Sequence, residues 1–485
     1  MRHSTLTTPT VEPWLECGPA EAAARLSGRA GLVWLDSALD RPEVGRWSVV
    51  ACEPRWTMIA HGASIVVSEA GRERTLEGDP LSVFTQLVEA EPHLEAPAGL
   101  PFAGGAIGYL GFELGRFVER LPATTIDDVG APDLAMGWYD AALVWDGAAS
   151  RGWLVGRAEA VCALRERLTT PRRHEVGWCA PRATACEPRS SFTRPQYLEA
   201  VARARRYIEA GDIYQVNLSQ RFSMPAHASG FELYSRLREV SPAPFAAYLD
   251  FAKHGGIEVL SSSPERLLLA DGADLETRPI KGTRPRGATA GEDEREAAAL
   301  LASGKDAAEH VMIVDLERND LGRIAEVGSV RVRQLAALES YAQVHHMTSI
   351  IAARRRPDAG LEATLRAIFP GGSVTGAPKI RALEIIDELE PTVRGVYTGA
   401  IGYVSAHGRV DLNVAIRTIT LVGGVAHMHV GGAIVADSDP AAEYQETLDK
   451  ARGMARALGA RLPDEALPDE ALPDEAPVLL AAAEA

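Results

Sequence analysis

The 50 basic residues of this 485-residue chain divide into 45 Arg and five Lys: Lys253, Lys281, Lys305, Lys379 and Lys450. A guanidinium cannot give up its proton in a protein, whereas an ammonium can be converted into a neutral nucleophile or act as a compact point charge. A chain that uses Arg wherever positive charge suffices has kept Lys where that difference counts. Two acidic pairs accompany these lysines. Asp306 and Glu309 stand at i and i+3 in KDAAEHVMIVDLERND, and Glu443 and Glu446 repeat the spacing, with Lys450 four residues further on. Two such pairs on two helices could line a site for Mg²⁺, which prefers octahedral oxygen ligands, keeps several waters and bridges a few carboxylates to an anionic substrate. Either pair alone reads more simply as a solvated helix face, Glu446 and Lys450 forming an ordinary i, i+4 ion pair. His310, His345 and His346 lack HExxH or comparable spacing, so no transition metal is indicated.

Glycine-rich segments come next. GGSVTGAPK, ending at Lys379, is not an ATP-binding loop, because Ala377 and Pro378 separate Gly376 from Lys379 and no GK[ST] follows. It puts Thr375, Gly376 and Pro378 at a helix start, where free N–H groups and the dipole can hold a carboxylate. HVGGAIVADSDP offers Gly431 and Gly432, whose amides could approach an anion closely; the plainer reading is a tight turn before the last helix.

Elements that must position these groups follow from periodicity. Short apolar or alternating runs bounded by turn residues predict strands over 31–35, 47–51, 57–68 and on both sides of 146–152, with helices over 81–89 and 158–168. Beyond a Pro- and Arg-scattered linker at 171–191, helices are expected over 194–210, 292–314, 377–389 and 440–458, a strand over 213–221 and a meander over 397–435. In the last helix Tyr444, Leu448, Ala451, Ala455 and Leu458 form a core-facing seam, and Glu443, Glu446 and Lys450 stand off it. The expected organisation is an N-terminal region over 1–170, a catalytic domain over 192–460 and an acidic tail over 461–485. That tail repeats ALPDE and reads as disordered and dispensable.

The net charge of −16 argues against a nucleic-acid partner, although seven acidic residues and no basic ones sit in 462–485. No run approaches the length of a bilayer span and the first thirty residues have no apolar h-region, so a cytoplasmic protein is expected. Five scattered cysteines without a CxxC suggest neither a disulfide framework nor a zinc site.

The segments AGDIYQVNLSQRF, LSSSPERLL, RPIKGTRPRG, KDAAEHVMIVDLERNDLGR, FPGGSVTGAPKIRALEIIDELEP, GVYTGAIGY, VAIRT and GGAIVADSDPAAEYQETLDKA resemble, in this order, the chorismate-utilising enzymes. The resemblance spans about 192–453, and LVWLDSA, GRWSVVACEP and PFAGGAIGYLGFELG are similar to the N-terminal region of the amino-transferring members. It implies an α/β (α+β) fold of two packed antiparallel-rich sheets with helices outside. It also implies Mg²⁺ held by Glu309 and Glu446, with Asp306 and Glu443 holding metal-bound water. His346, Thr375, Tyr397, Arg417, Gly431, Gly432 and Lys450 match positions around chorismate and its two carboxylates, Arg417 being suited to bidentate binding. Water-adding members carry a lysine base where this chain has Gln215, so nitrogen is the expected nucleophile. Lys281 falls where anthranilate synthases have alanine and aminodeoxychorismate synthases have lysine. The resemblance therefore implies a covalent Lys281 adduct, Glu265 as general acid, and 4-amino-4-deoxychorismate as product on the route to 4-aminobenzoate and folate. Anthranilate formation with loss of pyruvate is the alternative, and a non-catalytic chorismate- or tryptophan-binding module is a second. No GxCxG nucleophile segment occurs, so ammonia would come from a separate glutamine amidotransferase subunit. LVWLDSA places Ser37, with Arg46 and Ser48, where anthranilate synthases have a tryptophan pocket, Asp36 departing from the usual Glu.

Overall fold

Neighbouring residues of one strand show how the sequence builds two layers of core. In Val33–Asp36 both Val33 and Trp34 are buried, yet they belong to different cores; Val49 and Val50, Tyr248 and Leu249, and Val259 and Leu260 divide in the same way. Successive side chains point to opposite faces of a sheet, so a sheet covered on both sides reads as a continuous apolar run. The computed structural model of the chain describes residues 7–39, 44–97, 99–170, 187–287, 289–340 and 344–463. It consists of two 12-stranded sheets, in which all pairings between the named strands are antiparallel. One core fills the space between the sheets. The other packs Leu26, Leu164, Tyr197, Leu237, Ile386 and Leu448 of six helices against the outer face of the first sheet.

Both sheets are built jointly by the two parts of the chain. In the first sheet Val33–Asp36, the last of five strands from the N-terminal part, pairs with Phe245–Phe251. In the second sheet Gly105–Leu110 pairs with Ala400–Ser405. A glycine makes the close approach at the second seam possible: Gly105, with φ of +142°, lies opposite Ser405, and a Cβ on it would stand 2.3 Å from the Val404 carbonyl oxygen. Of the linker expected at 171–191, residues 171–186 lie outside the described residues, and Arg189–Ser190 forms a short strand against Phe222 and Ser223. Of the tail expected at 461–485, residues 464–485 also lie outside them.

Three expected elements differ in detail. The strand over 57–68 is a hairpin, Trp56–His61 and Ser64–Glu69, turning at Gly62 with φ of +55°. The helix over 292–314 is two, Ala290–Ala302 and Gly304–Gly322, because Ser303 leaves the helical conformation and its hydroxyl accepts the Asp306 N–H at 3.2 Å, capping the second. The meander over 397–435 crosses between sheets: Ala400–Ser405 and Val410–Val414 lie in the second, Thr418–Val422 and Val425–Ile434 in the first. Arg417 stands at that crossing with φ of +50°. The helix Pro440–Leu458 matches its expected bounds, capped by the Asp439 side chain, with all five seam residues buried.

A buried ion pair ties the layers together. Arg394 donates to both carboxylate oxygens of Glu390 at 2.6 and 2.9 Å, to the Asn217 carbonyl of the first sheet at 2.7 Å and to the Val374 carbonyl at 3.1 Å. Glu390 in turn accepts the Ser219 N–H and hydroxyl, and the Arg394 and Gly395 N–H groups donate to Glu113 from the N-terminal part. Losing one member of such a pair strands the other charge in a dry interior. Arg394→Met is expected to destabilise the protein by about 3–5 kcal/mol, read as a lowered thermal midpoint. Arg394→Met with Glu390→Leu should recover part of the loss, and an unchanged midpoint in the single variant would refute the assignment.

Candidate active site

Lys281 reaches its position through a bulge. Ile280–Pro285 pairs with Val344–Arg354, but the register slips between Lys281 and Thr283 around Gly282, whose φ is +71°. A Cβ there would stand 2.8 Å from Leu300 of the helix Ala290–Ala302, 2.9 Å from Met347 and 3.4 Å from Asp306 of the helix Gly304–Gly322, against which this strand packs. Across that contact the Lys281 Nζ lies 2.8 Å from Glu309 Oε1, both side chains largely buried. Asp306, one turn earlier, is engaged by Arg284 at 2.9 Å. On the paired strand His346 Nδ1 meets the Thr283 hydroxyl at 2.9 Å. Burial, with the positive charges of Arg417 and Lys450 nearby, pushes the His346 imidazole down to about 3, so it is neutral at physiological pH.

Glu265 sits in the turn between Ile257–Ser263 and Arg266–Asp271, buried. Burial pushes its carboxyl up to about 7, against the opposing pull of the Ser373 hydroxyl, Lys281, the Ile280 N–H and Lys450. It therefore lies within electrostatic reach of both lysines and can hold a proton near neutrality. Its Oε1 has no hydrogen-bond partner among the described residues; neither do both amide atoms of the fully buried Gln215. Arg417 carries no carboxylate partner among the described residues, and burial lowers its affinity for a proton. Buried polar groups are ordinarily satisfied, so Glu265 Oε1 and the Gln215 amide atoms are candidate contacts for a polar ligand.

The opposite wall is the strand Val425–Ile434 with the last helix behind it. Gly431 and Gly432 lie within this strand, opposite Ser219 and Leu218, and not in the expected turn. Their lack of side chains admits neighbours: a Cβ on Gly431 would meet the Tyr397 hydroxyl at 2.9 Å, and one on Gly432 would meet Glu443 Oε2 at 3.1 Å and Glu446 Oε1 at 3.6 Å. Lys450 donates to the Gly431 carbonyl at 2.8 Å and pairs with Glu446 Oε1 at 2.7 Å. Glu443 is buried and accepts the Ser438 hydroxyl at 2.6 Å. Tyr397 stacks on the His429 ring at 5.3 Å, and burial pushes its phenol up to about 12. Thr375 is fully buried with its hydroxyl donated to the Gly371 carbonyl at 3.0 Å. The helix behind it begins at Lys379, later than expected, because Gly376–Ala377 pairs with Gln215 and Val216 as a short strand.

Among the described residues no three His, Cys, Asp or Glu side chains converge tightly enough to hold a metal by themselves. Mg²⁺ commonly takes one or two carboxylates and completes its shell with water and substrate. Glu309 on the helix Gly304–Gly322 and the Glu443–Glu446 pair beside Gly432 offer carboxylate oxygens of the kind such a shell takes.

Ser37, Arg46 and Ser48 do not join this cleft. Ser37 borders a separate cavity of about 80 Å³ between the two sheets, lined also by Trp47, Pro244, Tyr403 and Asp411. Its hydroxyl donates to the Trp47 carbonyl and its N–H to the Ser48 hydroxyl, while Arg46 is committed to Asp146 at 2.7 and 3.0 Å. Asp36 points elsewhere, to Arg238 and Tyr234. The sequence reading missed Glu113, Glu390 and Arg394, which back the Tyr397 wall; the i, i+4 spacing of Glu390 and Arg394 was the available signal. It also missed the buried pair of Asp320 with Lys379 at 2.5 Å.

Comparison with known proteins agrees with this geometry. The sequence profile of chorismate binding enzymes matches residues 39–456. The chain is 40% identical over 441 residues to aminodeoxychorismate synthase component 1 of Escherichia coli (strain K12), covering 90% of this chain and 95% of that one. It is 41% identical over 453 residues to anthranilate synthase component 1 of Thermus thermophilus, covering 91% and 95%. The crystal structure of anthranilate synthase component I from Streptococcus pneumoniae TIGR4 superimposes with a TM-score of 0.75 at 33% identity, over 84% of this chain and 92% of that one. The shared fold and these likenesses agree: the chain belongs to the family of chorismate binding enzymes.

Proposed function

We propose that the protein converts chorismate and ammonia to 4-amino-4-deoxychorismate through a covalent Lys281 adduct. The observation that carries this reading is a lysine at the cleft, 2.8 Å from Glu309 and within electrostatic reach of a Glu265 that holds a proton near neutral pH. The unpaired guanidinium of Arg417, neutral His346 and Lys450 bind and orient the two carboxylates of the substrate. Glu309 and Glu446 would hold Mg²⁺, with Asp306 and Glu443 around it; when bound, the ion supplies positive charge that anchors the ring carboxylate. Lys281, once its ammonium has passed a proton to solvent, attacks ring C2 as the neutral amine, the diene shifts, and the C4 hydroxyl leaves as water with a proton from Glu265. Ammonia then attacks C4, the diene returns, and the C2–nitrogen bond to Lys281 breaks; the amine recovers its proton and the product keeps its enolpyruvyl ether. Gln215 cannot ionise and so does not activate water in competition.

A separate glutaminase subunit supplies the ammonia in this reading, and 4-aminobenzoate arises in a later step on another protein. Anthranilate formation remains the competing reading, since anthranilate synthases match this chain at similar identity. The cavity at Ser37 could take a tryptophan-like ligand.

Purified protein given chorismate, Mg²⁺ and an ammonium salt is expected to yield a product that retains the enolpyruvyl group; fluorescent anthranilate with equimolar pyruvate would overturn the reaction proposed. Lys281→Ala should lower aminodeoxychorismate formation by about two orders of magnitude or more, and the wild-type chain incubated without ammonia should carry the adduct mass on the peptide containing Lys281. Glu265 donates its proton only while protonated, so with free ammonia held constant, kcat/KM is expected to fall as pH rises through about 7. Glu265→Gln should lose about 10²–10⁴-fold in rate together with that limb; a limb that survives the substitution belongs to another group.

A further inference from the structure

Each of the two carboxylates assigned above as metal ligands is held by a lysine, but the two pairs are built differently. Lys450 and Glu446 sit four residues apart on one helix, and Lys450 has a second anchor on the Gly431 carbonyl. That lysine moves with its carboxylate and keeps a partner if Glu446 turns away. Their side chains are 36% and 50% exposed, so water screens the pair. Lys281 and Glu309 come from different elements, an edge strand and a helix, and their side chains are only 12% and 13% exposed. Glu309 is the one carboxylate paired with Lys281 among the described residues. Asp306 offers no alternative, because Arg284 occupies it.

A divalent cation taking Glu309 as a ligand must sit where the Lys281 ammonium already neutralises that carboxylate. Two like charges in so poorly solvated a space repel strongly. We propose that Lys281 gates the metal position: its ammonium and the divalent cation exclude one another at Glu309, so that cation binding is the event that detaches the nucleophile from its carboxylate and releases it toward the ring. Lys281 thus has a second role, as an internal competitor for the metal, which an alanine at this position could not fill. The inference rests on Glu309 and Glu446 being the ligands.

The test is equilibrium binding of Mg²⁺, by calorimetry, and of Mn²⁺, by loss of its free electron-paramagnetic signal, to the metal-stripped full-length chain and its variants. Lys281→Met, nearly the same length without the charge, is expected to bind either ion about tenfold more tightly than the wild type. Lys281→Gln serves as a second neutral variant should the first fold poorly. Lys450→Met reports how much any lost positive charge in the cleft contributes and is expected to gain less, and the distant Lys253→Met is expected to match the wild type. A wild-type crystal grown with Mg²⁺ is expected to show the Lys281 nitrogen detached from Glu309. Affinity in Lys281→Met that is unchanged, weaker, or raised no more than in Lys450→Met overturns the gate while leaving the ligand assignment standing. Absence of binding to every variant removes the ligand assignment itself and the gate with it.

Discussion

The Arg394 guanidinium is buried at a point where three parts of the fold meet: the first sheet at Asn217, the loop at Val374 and the Glu390 carboxylate at the end of helix Lys379–Leu389. A charge in that position is tolerable only because every donor direction is filled and Glu390 neutralises it. The backbone of the same residue is fixed from the N-terminal part by Glu113. Tyr397 follows three residues later, packed under the Arg394 side chain and against His429. The wall of the cleft that carries Tyr397 and Gly431 is therefore set by an interaction whose components all lie behind it. In front of it, Glu265 Oε1 and both amide atoms of Gln215 have no hydrogen-bond partner among the described residues.

Some of this was readable from residue types alone. A scarcity of lysine pointed to Lys281 and Lys450, and the helical seam of Tyr444, Leu448, Ala451, Ala455 and Leu458 fixed both the last helix and the side from which Glu446 and Lys450 project. Local periodicity is a property of one segment, and here it was enough. What could not be read depends on pairing across long separations. Gly431 and Gly432 are consistent with a turn in isolation and become strand residues only because Ser219 and Leu218, more than two hundred positions earlier, lie opposite. The slip at Gly282 that delivers Lys281 to Glu309 has the same origin, since it exists only relative to the Val344–Arg354 partner. Ser303 is different: a cap in the middle of a strongly helical run was visible as a residue type, but the run of helix formers around it outweighed the signal.

Electrostatics gives the cleft its chemical asymmetry. Glu265 and His346 are both pushed by burial toward their neutral forms, one near 7 and the other near 3, although they share neighbours of the same charge. A carboxyl that keeps its proton and an imidazole that declines one leave the positive charge of the cleft to Arg417, Lys281 and Lys450.

Neither half of the chain owns a finished sheet. Cutting between them would bare the hydrogen-bonding rims of Val33–Asp36 and Gly105–Leu110 on one fragment and of Phe245–Phe251 and Ala400–Ser405 on the other. Raw rims of this kind recruit whatever strand is at hand. Each part of this protein therefore needs the other to close its sheets.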